Sequence, residues 1–188
     1  MKFHTPENRS YNALLKSMVD VGYYVVPITF VFAVISYVTA GDLQTFSNDV
    51  IKEHVAFLSA FIAVSCTVIC YGASLMLLNE KRVLHKATAY FAKLSIILLS
   101  ALYFTAVSVS FVHSVATWSL EGLAIFIPVT ALCFAVIFFT HGMAKNLYEG
   151  NAFDKISGRN QRAFGAGFFC IGLIMLGLTI LQQLDALL

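Results

Sequence analysis

The sequence predicts an all-α polytopic membrane protein: one domain, residues 1–188, built as a compact bundle of five transmembrane helices with the N-terminus inside and the C-terminus outside. Three observations carry that expectation. Hydrophobic residues make up 59% of the chain and charged ones 12%, about half the charged share of a soluble domain. Five stretches reach the ~20 apolar residues that cross ~30 Å of hydrocarbon at ~1.5 Å per residue. The cations alternate in step with those stretches, as membrane orientation requires. Such a composition excludes a secreted enzyme, a disordered scaffold and a nucleic-acid binder.

The stretches run from Val21 to Ala40, Val55 to Leu78, Leu94 to Val115, Leu123 to Thr140 and Ala163 to Leu181. None contains Asp, Glu, Lys or Arg, in keeping with the cost of a charge at mid-bilayer. Lys2, Arg9, Lys16, Lys81, Arg82, Lys86, Lys93, Lys145, Lys155, Arg159 and Arg162 fall in the odd segments between them, and Lys52 alone in the even ones. Acidic residues divide evenly, so the inner face is basic and suits an anionic leaflet without any nucleic-acid partner. A charged leader, an apolar run and Val38-Thr39-Ala40 resemble a cleavable signal, but the run is too long for one, and we expect an uncleaved anchor. Tyr23, Tyr24, Tyr90 and Tyr148 suit the inner interface, Tyr37 and Trp118 the outer one. The segments outside the spans are too short to bury a core, which leaves no room for a soluble catalytic domain.

The longest inner segment, His141 to Arg162, carries the most local information. Gly150 can take the left-handed conformation that ends a helix, and Phe153 turns back toward the apolar boundary. Asp154 or Ser157 can cap the next helix, which places Lys155, Arg159 and Arg162 on one face as a basic collar at the headgroup level. Two readings apply: ordinary positive-inside anchoring, or contact with an anionic lipid or acidic partner. The run Leu147-Tyr148-Glu149-Gly150-Asn151-Ala152-Phe153, followed by a polar helix start and Gly165, resembles a loop in an uncharacterised family of small bacterial multi-pass membrane proteins. In that family an aromatic residue, Gly-x-x-Phe, a capping Ser or Thr, Asn, a basic stretch and Gly follow one another. Asp154 stands here at the Ser/Thr position and Ser157 at the Asn position. The likeness covers about 20 residues, and the family has two spans after the loop where this chain has one. It implies a bacterial inner membrane and no particular activity.

The fifth span is rich in small residues. Gly165, Gly172 and Thr179 recur every seven positions on one side, and Ala163, Cys170 and Gly177 on the opposite side. Because small residues let helix backbones approach closely, both sides are expected to be gripped, one within the chain and the other within it or by a second subunit.

Other constellations point to alternatives. His54 with His113 near the outer surface and His85 with His141 near the inner one would suit a b-haem electron-transfer subunit, although these positions lie at or beyond the span ends. Cys66 and Cys70 share a helix face, and Cys170 should lie at the depth of Cys70. No His or carboxylate shares that depth, so small apolar packing is the simpler role. Pro27 and Pro128 can break helices. Thr130 with Ser95, Ser100, Thr105, Ser108 and Ser110 could then form the polar seam of a small channel or carrier, though a pump would need ionisable groups inside the membrane. No Gly-x-Ser-x-Gly with a partnering His, His-Glu-x-x-His or pair of intramembrane Asp residues is present. The expectation is a non-catalytic inner-membrane protein without cofactor or metal, a sensor, immunity or accessory subunit. It would act on lipid, a second copy or a second membrane protein.

Overall fold

A computed structural model describes residues 11–40, 55–77, 81–118, 121–149 and 158–187. These residues form five α-helices: α1 (Tyr11–Ala40), α2 (Val55–Met76), α3 (Lys81–Thr117), α4 (Glu121–Glu149) and α5 (Gly158–Leu187), with no strand among them. All five are long and apolar enough to cross a membrane. Large apolar side chains stand in the open on their outer faces, among them Leu132 at 63% and Leu178 at 62% exposure. A soluble domain does not expose apolar surface on this scale.

The helices outrun the spans expected of them. The third apolar stretch starts at Leu94, yet α3 begins at Lys81, because the preceding KRVLHKATAYFAK run is made largely of helix formers with neither Gly nor Pro. At 37 residues α3 is ~55 Å long, well beyond the hydrocarbon thickness. It closes at Trp118, whose φ of 50° is the left-handed turn that commonly ends a helix. Pro27 and Pro128 lie inside α1 and α4, and both helices run on through them. Neither proline ends its helix: each removes one N–H donor, and the rest of the helix keeps the ladder.

Two compact units divide the chain: one comprises Leu58–Ile96 and Phe138–Leu188, the other Ser10–Phe57 and Ile97–Ile137. The first is organised on α2, whose apolar window is 56% buried against 17% for that of α5. Here α2 and α5 touch backbone to backbone. A Cβ placed on Gly72 would lie 2.5 Å from the Phe169 nitrogen and 2.7 Å from the Gly165 carbonyl oxygen, and one on Gly165 would lie 2.8 Å from the Gly72 oxygen. Gly172 fits as tightly against Ile69 and Ser65. The pairing descends along one helix as it climbs the other, so α2 and α5 are antiparallel. Tyr71 ties in a third helix, packing edge-on against Phe168 at 5.3 Å and hydrogen bonding the Asn146 side chain of α4.

In the second unit α1 lies along α3. Gly22 faces the Phe104 ring, Phe30 packs with Phe111, and Ala33 is buried with Val112 and Val109. These pairings climb both helices together, so α1 and α3 are parallel. Ser108 donates its proton to the Phe104 carbonyl at 3.0 Å, which leaves Thr29 as donor in the 2.9 Å contact between the two hydroxyls. Tyr103 of α3 meets Phe126 and Phe134 of α4, two turns apart, at 5.8 and 5.2 Å.

Candidate functional site

The two stripes of α5 have different surroundings. Gly165, Gly172 and Thr179 are buried, the first two directly against α2. Thr179 spends its hydroxyl on the Met175 carbonyl at 2.7 Å. Ala163 and Cys170 are exposed, and a Cβ on Gly177 would meet nothing within 4 Å. The α2–α5 pairings put Cys70 level with Cys170, while Cys170 stays exposed and free. Composition alone shows the stripes; the backbone contacts assign one of them to α2.

Arg159 and Arg162 are exposed on the first turns of α5. Lys155, Gly150, Phe153, Asp154 and Ser157 lie outside the described residues. The helix limits on either side, Glu149 and Gly158, leave that part of the loop expectation without a structural counterpart.

The interior of the α2/α5 unit is polar in a way the sequence reading missed. Ser65, Thr67, Ser74, Thr88, Ser95, Thr140 and His141 are all buried to 3% exposure or less. Most of the hydroxyls satisfy themselves on their own helix: Ser65, Thr67, Thr88 and Ser95 each donate to the carbonyl four residues back, and Ser74 to the one three back, at 2.7–2.8 Å. Across helices the Thr67 and Ser95 oxygens approach to 3.3 Å.

His141, expected near the inner surface, is buried within α4 at 3% exposure. Short connections make α2, α3 and α4 run alternately, so α4 is parallel to α2. With Asn146 beside Tyr71, His141 comes level with Cys66, near the middle of α2. His85, counted from the Ser95–Thr67 contact, comes level with the C-terminal end of α2, about three turns away. Two histidines that share one haem iron must face each other across it, and His85 and His141 do not share a level. His54 lies outside the described residues, and His113 sits near the end of α3. Among the described residues no three His, Cys, Asp or Glu side chains come together to hold a metal.

The hydroxyls named for a possible seam near Pro128 have these surroundings. Ser95 meets α2, Ser108 meets α1, and Thr105 turns back to the Ala101 carbonyl at 2.9 Å. Among the described residues the Ser100, Ser114 and Thr130 hydroxyls are buried and have no hydrogen-bond partner. No family model, curated protein or solved structure matches the chain.

Proposed function

We propose that this chain is a five-crossing protein of a bacterial inner membrane, N-terminus inside and C-terminus outside, that acts through contacts rather than catalysis. It would serve as a sensor, immunity or accessory subunit of a membrane complex. The observation that carries this reading is the division of labour on α5: Gly165 and Gly172 are used up against α2, whereas Ala163, Cys170 and Gly177 face outward with room beside them. In lipid, where side chains gain nothing by leaving water, close backbone approach is a main source of helix association. A second copy or a second membrane protein would dock along that outward stripe, with the collar of Lys155, Arg159 and Arg162 holding the inner end at anionic headgroups. The loop resemblance and the cation asymmetry favour the bacterial location and the orientation.

Cys170 supplies its own test. Mild oxidation of membranes should link two chains, or this chain and a partner, through that thiol, and Cys170→Ser should abolish the product. Gly177→Leu should shift the complex to smaller size on gel filtration with yield preserved. Unchanged size in Gly177→Leu and Ala163→Leu together would sink the contact reading. A reporter fused after Leu188 should be active outside the cytosol.

A second reading, a small carrier, draws on a different observation from the Pro128 seam: the buried hydroxyls and His141 inside the α2/α5 unit. Solute flux into liposomes that is lost in His141→Leu would favour it over the contact role.

A further inference from the structure

The faces of α5 divide the helix into thirds. At ~100° per residue, Gly165, Phe169 and Gly172 point to α2, Arg162 lies beside that face, and Asn160, Phe164, Gly167 and Ile171 point away from it. Along this last face runs a groove of about 340 Å³, lined by Asn160, Ala163, Phe164, Gly167, Phe168 and Ile171. Its floor is Gly167, where a Cβ would meet nothing within 4 Å. Among the described residues that line it, Asn160 is the polar one. Arg159, exposed, stands one turn ahead of Ala163 on its rim.

We propose that this groove binds one acyl chain of an anionic phospholipid in the inner leaflet, with the phosphate held by Arg159 and Asn160. The inference rests on the reading that α5 crosses a membrane. Length is the first argument: Asn160 to Ile171 spans ~16 Å along the helix, close to half of the ~30 Å hydrocarbon thickness. The groove therefore runs through one leaflet and stops, as an acyl chain does and a crossing helix does not. Chemistry is the second: the apolar walls begin where the polar end stops, and the cation stands at the headgroup end. A guanidinium and an amide are both donors, so an anionic phosphate is matched on one side by charge and on the other by a hydrogen bond.

The test is retention of phosphatidylglycerol against phosphatidylcholine by the purified full chain, read by native mass spectrometry from mixed-lipid nanodiscs. The wild type should retain one phosphatidylglycerol in preference to phosphatidylcholine. Gly167→Leu, which fills the floor without striking a neighbour, should lower retention of both about tenfold, and Gly167→Ala by less. Arg159→Gln should reduce the anionic preference about fivefold while phosphatidylcholine is held as before. Lys86→Gln, exposed on α3 and outside both the groove and the collar, should change neither. Equal retention of the two lipids by the wild type, unchanged retention in Gly167→Leu, or equal losses in Arg159→Gln and Lys86→Gln would each overturn the site. So would a change of oligomer size in Gly167→Leu with lipid retained, which would mean that protein occupies the groove. Should the chain instead leave the membrane in a carbonate wash, the membrane reading itself fails, and that outcome is separate from the others.

Discussion

The two units hold their helices together by different means, although both are cut from the same apolar composition. In the α2/α5 unit, glycines remove the side chains between two helices, and the backbones meet within van der Waals distance at Gly72, Gly165 and Gly172. Its interior is then lined by small hydroxyl residues, most of them bonded back to their own helix, around the buried His141. In the α1 unit large rings do much of the packing: Phe104 against Gly22, Phe30 against Phe111, and Tyr103 between Phe126 and Phe134. An inter-helix hydroxyl pair, Thr29 with Ser108, adds direction. Backbone contact is unforgiving, since no rotamer change relieves a clash with a carbonyl. Ring packing yields more readily.

That contrast is broken most severely at the glycines. Gly165→Leu or Gly172→Leu should abolish a monodisperse protein altogether, seen as loss of the gel-filtration peak, because α2 and α5 can no longer approach. Gly177→Leu on the same helix should leave the monomer fold intact. Next in size, Tyr103→Ala should cost about 3 kcal/mol in a denaturation titration, as large ring deletions do, without the all-or-none collapse of the glycine variants. His141→Ala should cost about 2 kcal/mol, since it deletes a buried polar side chain from the other interior. A loss below a few tenths of a kcal/mol would mean that the polar layer adds little to stability. Smallest, Thr29→Val should cost about 0.6 kcal/mol, the typical worth of a hydroxyl pair between membrane helices. A much larger loss would mean that the hydroxyl pair, more than the rings, holds α1 to α3.

Much of the fold is legible in the sequence. Five helices follow from five apolar stretches, since uncompensated backbone polar groups leave no other structure for such runs. Helix limits are less legible: α3 extends to Lys81 because helix propensity continues where hydropathy stops. The prolines at 27 and 128 are able to break a helix, and whether they do is not written in the sequence; both helices run on through them. Of the candidate site, the two stripes of α5 can be read from spacing alone. Which one is used by α2 cannot, as both have the same seven-residue repeat. His141 reads as a residue at the inner membrane surface because Thr140 ends the apolar run. Its burial depends on α4 continuing past it and on Tyr71 meeting Asn146.

By itself the sequence determined the number of helices and that each is long and apolar enough to cross a membrane. These are properties of single segments meeting a medium: length against hydrocarbon thickness, and charge against the cost of desolvation. Only the tertiary structure decided which face of α5 is spent inside the chain and that a histidine is enclosed among hydroxyls. Those depend on contacts between residues far apart in the chain, and hydropathy carries no term for who sits beside whom.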